Sequence, residues 1–266
     1  MLLGKNKLME KIWETNNRKL ALELAIKCSG ICRFRVVATD FQPNSKYADR
    51  TIEVNEFRKI YISFPQSPEK VKIKIIPLSQ TDNFLVDFKE KPLKTYQIKL
   101  SDQTKKFVKF AQQFVACSGY ESATNSGRFF TTKDKEFKIK YFTIISDNGR
   151  ISSTPARIGH SSGIIEVSKT HFDKYTIPMR MAILLHEYAH KYLNPLSNLP
   201  ISDEIGADIN ALYIYLGLGY SKVDAIYVFI NVFLKAQSEG NMKRMRKIMN
   251  YIAKFEKGEI AKVLTE

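Results

Sequence analysis

The chain has 266 residues, of which 44% are hydrophobic, and a formal net charge of +15. This length suits one large or two ordinary domains, and the hydrophobic fraction excludes an intrinsically disordered protein. The basic excess is spread along the chain, which favours general solubility or a weak anionic partner. We therefore expect a folded protein without a dedicated nucleic-acid site.

Secretion and membrane insertion are not expected. Residues 1–10 lack the apolar run of a signal peptide, and no stretch reaches about 18 uninterrupted apolar residues. The three cysteines are too few for a disulfide framework, so we interpret them as free thiols. The chain is rich in Lys, Ile, Asn and Tyr, which fits an AT-rich bacterial or phage genome. These features predict a cytoplasmic protein, or a virion component if a phage encodes it.

Residues 1–100 are predicted to form an antiparallel β-sandwich of immunoglobulin-like size, after a short helix around 7–13. Residues 20–28 and 31–37 alternate apolar and polar positions, and Ser29-Gly30 between them predicts a hairpin turn. Further strands are predicted at 51–54, 59–64, 71–76, 84–88 and 95–100. No catalytic pattern occurs here. We interpret this domain as a docking or assembly module, through which the chain could form a homo-oligomer.

The hydrophobic period changes from two to 3.6 near residue 100, and we place the domain boundary there. Ser101 is a suitable N-cap for an amphipathic helix at 102–117. Asp147-Asn148-Gly149 predicts a hairpin turn within a small mixed sheet. Its strands are expected at 128–132, 137–145, 150–158 and 163–167. The second domain then covers 101–266, and the overall class is α+β with two domains.

A metal-binding pattern follows this sheet. His186 and His190 are four residues apart in a stretch that begins with Pro178 and continues without Gly or Pro to Pro195, which predicts a helix. That spacing places both imidazoles on one helical face, where they can hold one divalent metal. Glu187 then projects beside the metal and can take a proton from water. The alternative is a coincidental match on an ordinary buried helix.

A third protein ligand is expected downstream. Glu204 and Asp208 are again four residues apart, at the start of an apolar helix predicted for 205–216, with further helices after it. The alternative interpretation is that both are ordinary acidic residues in a first helical turn, where the helix dipole favours them.

The order His186, Glu187, His190 and then Glu204-x-x-Ala-Asp208 resembles the gluzincin metallopeptidases, the thermolysin-like branch of the zincins. The resemblance covers residues 101–266 and implies a zincin-like metallopeptidase domain. It implies one Zn per chain, held by the two histidines and Glu204, with Glu187 as general base. It also implies that Asp208 orients a ligand histidine, His186.

The same resemblance implies that residues 156–159 form an edge strand that pairs with extended substrate. In the family a Tyr or His often stabilises the oxyanion. The sequence leaves that choice open among Tyr188, Tyr192, Tyr213, Tyr215 and His160. His160 and His171 could equally be ordinary surface residues.

Two functions of different classes remain open. The first is a zinc-dependent peptidase, either an endopeptidase or an exopeptidase, that hydrolyses a peptide or protein substrate. The second is a structural or assembly protein, for example a virion component, built on a zincin scaffold with an idle metal. Peptide hydrolysis by the zinc-loaded chain would separate the two.

Overall fold

The computed structural model describes residues 2–4, 8–79, 83–192, 204–234 and 238–264, with only the backbone for 2–4. The protein has the mixed α+β class that the sequence predicts. It divides into an N-terminal unit, Met1–Lys94, and a C-terminal unit, Thr95–Leu264. In the described ranges, no helix is both long and apolar enough to cross a membrane.

The N-terminal unit is one antiparallel sheet built on a long strand. The strand β3 (Leu20–Thr39) pairs with β4 (Lys46–Phe64) along one side. Its other side pairs with β6 (Phe84–Lys91) through residues 21–28 and with β5 (Lys70–Pro77) through residues 34–39. β1 extends the branch of β6, and β2 extends the branch of β5. The strand bounds are β1 Leu2–Gly4, β2 Met9–Glu14, β3 Leu20–Thr39, β4 Lys46–Phe64, β5 Lys70–Pro77 and β6 Phe84–Lys91.

The antiparallel pairing predicted for this region is confirmed, whereas its likeness to an immunoglobulin sandwich stays a prediction. The short helix expected around 7–13 is wrong, because Met9–Glu14 is a strand paired with β5. The strands expected at 51–54 and 59–64 are parts of the single strand β4.

The predicted hairpin turn at Ser29-Gly30 is also wrong. Lys27 pairs with Phe57 and Ile31 with Asn55, so residues 28–30 face the single residue Glu56 in a bulge. Gly30 has a φ of 68° there, in the left-handed region that glycine enters without a steric penalty. The dipeptide Ser-Gly is compatible with both a bulge and a turn. Here the chain continues in the same strand, so it forms a bulge.

The first helix of the C-terminal unit is α1, whose N-cap Ser101 accepts a hydrogen bond from the Thr104 backbone N–H. Its main sheet has the order β12-β13-β9-β8, in which β13 and β9 are parallel and the other pairs antiparallel. A small mixed sheet is therefore confirmed. The bounds are β7 Thr95–Tyr96, α1 Asp102–Cys117, β8 Arg128–Thr131, β9 Lys138–Phe142, β10 Ser146–Asp147, β11 Arg150–Ile151, β12 Ala156–Ile158 and β13 Ile164–Ser168.

Helices complete this unit. After α3 (Ile177–Ala189) come α4 (Glu204–Gly217), α5 (Lys222–Val228) and α6 (Glu239–Glu256). A π-helical turn at Phe229–Phe233 continues directly from α5. Two small antiparallel pairs, β10 with β11 and β14 with β7, lie outside the main sheet. The remaining bounds are α2 Lys169–Phe172, α3 Ile177–Ala189, α4 Glu204–Gly217, α5 Lys222–Val228, α6 Glu239–Glu256 and β14 Val263–Leu264.

α3 is the centre of the C-terminal unit. It contacts α1, α4, α5, β12 and β13, and all thirteen of its residues are buried. Thr176 caps its N-terminus, and Pro178 lies in its first turn. Buried Arg180 donates to the carbonyls of Phe172 and Tyr175 and to Ser118 Oγ, and the Asp173 carboxylate lies 3.4 Å from its guanidinium. The helix is thus held on every side.

We expect Gly30→Ala to destabilise the N-terminal unit by about 1 kcal/mol, because an L-residue in the left-handed region is strained. The measurement is urea unfolding followed by Trp13 fluorescence. Trp13 is the chain's one tryptophan, and its ring stacks on Phe88 within this unit. Gly30→Asn is the matched control, since Asn tolerates positive φ and should lose less stability. Equal losses in both variants would argue against a left-handed requirement at this bulge.

Candidate metal centre

Two consecutive helices bring three metal-ligating side chains together. His186 lies in the last turn of α3, His190 is the C-cap residue of this helix, and Glu204 is the first residue of α4. The two histidine Nε2 atoms are 3.0 Å apart, and each lies 3.6 Å from a Glu204 carboxylate oxygen. One ligand atom from each residue falls within 4.8 Å of the others. This compact group can hold a metal ion.

A buried carboxylate stands behind the first histidine. Asp208 Oδ1 lies 3.1 Å from His186 Nδ1, and the Asp208 side chain is fully buried. The contact is short, although its angle is poor for a hydrogen bond. The tautomer with its proton on Nδ1, beside this carboxylate, leaves Nε2 free for a metal. Two imidazoles and a carboxylate suit several divalent first-row ions, so this donor set fits a metal without selecting one.

Two titratable groups of this site, His190 and Glu187, have displaced pKa values. Burial, followed by the neighbouring His186, holds the pKa of His190 below its usual value, which favours the neutral ligand form. Burial also raises the pKa of Glu187 to about 7, and the nearby Glu204 carboxylate adds to this shift. His186 opposes the shift, and so does the backbone N–H of Ile158 on β12. Glu187 can therefore exchange a proton near neutral pH.

Sequence reasoning missed Arg244. Its guanidinium is mostly buried and bridges the two carboxylates of α4: Nη2 lies 2.9 Å from Glu204, and Nε lies 2.9 Å from Asp208. Arg244 belongs to the basic run of α6, which resembles a solvated face. The available signal is its spacing from Ile248 and Ile252, because residues four apart share a helical face and both isoleucines are buried.

The ligands lie in an open cleft of about 520 Å³. His186, Glu187, His190 and Glu204 form one part of its lining. Residues 152–157 form a second wall, and Val232, Phe233 and Arg244 complete the lining. The Phe233 ring stacks on His186 at a centroid distance of 3.9 Å. This aromatic wall comes from the π-helical turn, a distortion that often marks functional sites.

The wall at residues 152–157 leads into the free edge of the sheet, because β12 pairs only with β13 among the described strands. Pro155 and Gly159 hydrogen-bond toward β13. The alternate residues Ala156 and Ile158 therefore direct their backbone groups to the open edge. Thr154 Oγ1 donates to the Ala156 carbonyl, and the Ile158 N–H faces Glu187. The edge expected at 156–159 thus borders the cleft.

None of the four candidate tyrosines lines this cleft. Tyr188 is fully buried, and its hydroxyl lies 3.2 Å from Thr104 Oγ1. The Tyr213 hydroxyl accepts from the Lys99 N–H at 3.0 Å. Tyr215 is buried and stacks on Tyr220, whereas Tyr192 stacks on Tyr188. The ring of the other candidate, His160, lies 6.2 Å from the ring of His190. His171, on α2, lies beside Lys174.

Comparisons with protein-family models, curated proteins and solved structures gave no match for this chain.

We expect His186→Ala and His190→Ala each to abolish tight metal binding, because each removes one of three ligand atoms. Glu204→Gln should weaken it, and Asp208→Ala should weaken it by roughly 10–100-fold through loss of the outer carboxylate. Calorimetric titration of metal-free protein with Zn²⁺ measures these changes. His171→Ala is the control and should bind like the unmutated chain. Unchanged affinity in His186→Ala would contradict the ligand assignment.

Arg244→Met should destabilise the metal-free C-terminal unit by about 3 kcal/mol, since it leaves the buried Asp208 carboxylate without its cation. Thermal unfolding followed by helical circular dichroism measures the loss. Arg246→Met on the exposed face of the same helix is the matched control and should change stability little. Similar effects of the two substitutions would show that the Arg244 bridge contributes nothing special.

Proposed function

We propose that this chain is a zinc-dependent peptidase whose C-terminal unit is a zincin-like domain of the gluzincin type. The observation that carries the proposal is that a non-ligand carboxylate, Glu187, shares one cleft with three convergent ligands. This arrangement holds a general base beside a metal site. A structural zinc site has four protein ligands, whereas these residues supply three.

Zinc is the ion that best fits this use of the donors. Two histidines and one glutamate are a known ligand set of catalytic zinc, and they leave one position for water or substrate. When bound, the ion would polarise a peptide carbonyl and make a water molecule more acidic. Asp208 then holds the His186 ring in orientation from behind, and Arg244 holds the carboxylates of Glu204 and Asp208 in place.

Glu187 moves the protons. Its carboxylate accepts one proton from the attacking water and later delivers it to the nitrogen of the leaving amine, so that the peptide C–N bond breaks without net loss of the proton. A pKa raised to about 7 by burial suits both steps, because the group then binds and releases a proton with similar ease.

The free edge of β12 is the proposed dock for the substrate backbone. An extended peptide can add to such an edge through main-chain hydrogen bonds. The groups that face it belong to Ala156 and Ile158, and Ile158 also faces Glu187. A peptide bound here would therefore run past the base. Main-chain recognition of this kind selects extended peptide or unfolded protein and not a particular side chain.

We expect Glu187→Gln to retain zinc and fold but to lose at least ~10²-fold in turnover, because the amide cannot accept the proton. The assay is hydrolysis of a fluorescence-quenched peptide library of random sequence, with zinc content and circular dichroism measured on the same samples. Equal turnover in the variant would remove Glu187 from the mechanism. If the zinc-loaded unmutated chain cleaves no peptide, the peptidase proposal is wrong.

A second candidate function is assembly through residues 1–100. It is favoured by β4, a long strand that pairs with β3 alone among the described strands and exposes Phe57 and Tyr61. A long unpaired edge is a template for adding a strand from another copy. A stable oligomer that binds zinc but hydrolyses nothing would favour this structural role, with the metal idle.

A further inference from the structure

The helix α6 carries a row of lysines on its exposed side. Lys243, Lys247 and Lys254 lie on this helix, Lys257 is its C-cap residue, and all four are exposed. They follow one another at intervals of four, seven and three residues, which places them along one side of a helix. At about 1.5 Å per residue, the row is roughly 21 Å long.

These charges are not neutralised within the protein. In the ranges that the structure describes, no side chain forms a hydrogen bond or ion pair with any of the four lysines, or with the exposed Arg246 of the same helix. Residues 239–257 include only two acidic residues, Glu239 and Glu256, and Glu256 is already paired with Lys222 at 2.6 Å. The row is therefore a strip of positive potential that faces solvent.

Large apolar side chains are exposed on α6 and on the helix before it. On α6, Met242 and Met249 are 55% and 44% exposed, and their spacing of seven residues places them on one side. On α5 and its π-helical continuation, Val223, Tyr227 and Ile230 are each about half exposed, at intervals of four and three residues. Single exposed apolar residues are normal, whereas two such sets on consecutive helices indicate an interaction surface.

An ion pair at the surface joins the exposed sides of these two helices. Lys222 is the first residue of α5, Glu256 is the last residue of α6, and their side chains are 46% and 44% exposed. Glu256 also follows Met249 by seven residues, so the methionine side of α6 ends at this ion pair. The lysine row, the two methionines and the three apolar residues of α5 thus form one surface, which we call the α5–α6 face.

The chemistry of the α5–α6 face favours one kind of partner. A polyanion without an apolar phase, such as a nucleic acid or an acid-rich protein segment, complements only the lysines. An anionic lipid surface complements both features, because its phosphates attract ammonium groups and the hydrocarbon beneath them accepts apolar side chains. The combination of cations with exposed Met, Val and Ile therefore selects the lipid surface.

We propose that the α5–α6 face attaches the chain to the surface of a membrane that contains anionic lipids. The lysines contact lipid phosphates, and the apolar side chains enter the boundary between head groups and acyl chains. This attachment lies in the plane of the interface and requires no helix that crosses the bilayer. It does not depend on the peptidase proposal. Because Arg244 of the same helix lines the metal cleft, an attached chain carries that cleft at the lipid surface.

Sedimentation of the full chain with lipid vesicles tests the proposal. The protein should bind vesicles of phosphatidylcholine mixed equally with phosphatidylglycerol, and it should not bind vesicles of phosphatidylcholine alone. Added salt should release it, because salt screens the attraction between exposed charges. Equal binding to both kinds of vesicle, or to neither, would overturn the proposal.

A pair of lysine substitutions tests the face itself. Lys243→Gln with Lys247→Gln should weaken binding to the anionic vesicles roughly 30-fold, since each lysine near such a surface contributes about fivefold. Lys133→Gln with Lys135→Gln is the matched control, because these exposed lysines lie between β8 and β9 and their loss changes the net charge equally. Circular dichroism checks the fold of both variants. Equal weakening by the two pairs would show that only net charge matters and would contradict the assigned face.

A pair of apolar substitutions separates a lipid surface from other polyanions. Val223→Ser with Ile230→Ser should weaken vesicle binding about tenfold, because these side chains no longer gain from leaving water. The same variant should bind duplex DNA and poly-glutamate as the unmutated chain does, with thermal unfolding as the check on its fold. If the unmutated chain prefers DNA or poly-glutamate to the vesicles, or if the serine pair leaves vesicle binding unchanged, the partner is not a lipid surface.

Discussion

Burial of α3 on all sides is the constraint on which the candidate site depends. Every residue of this helix is buried, and it is packed between α1, α4, α5 and the β12 side of the sheet. Close packing of this kind leaves side chains few alternative rotamers. His186 is therefore held near its ligand position by protein contacts, and a metal that binds there does not have to organise the helix first.

The three carboxylates of the site differ in how their negative charges are compensated. Asp208 and Glu204 share the Arg244 guanidinium, which compensates the charge of the fully buried Asp208 and pairs with the exposed Glu204. For Glu187, burial outweighs the opposing effects of His186 and the Ile158 N–H, and its pKa rises to about 7. Two of the carboxylates are thus paired with a cation, while burial raises the pKa of the third.

The N-terminal unit shows a different use of the chain. A single strand of twenty residues, β3, pairs with β4 on one side and with two shorter strands on the other. The bulge at residues 28–30 interrupts the register without ending the strand. The strand β3 therefore connects the six strands of this sheet, either directly or through β5 and β6.

The sequence by itself determined the elements that depend on local spacing. The apolar period of 3.6 predicted α1, and histidines four apart on an uninterrupted segment predicted the shared face of α3. Glu204 and Asp208 were predicted together for the same reason, because residues four apart lie on one side of a helix. These properties follow from the geometry of the helix itself.

Only the tertiary structure decided what meets across long sequence separations. It brings Arg244 to the α4 carboxylates, ties Tyr188 and Tyr213 to Thr104 and Lys99, and leaves His160 beside His190. Ser29-Gly30 shows the same limit at short range, since this dipeptide suits a turn or a bulge and strand pairing chooses between them. Local propensity depends on the sequence of one segment alone. The burial and strand pairing of that segment depend also on all the other segments that pack against it.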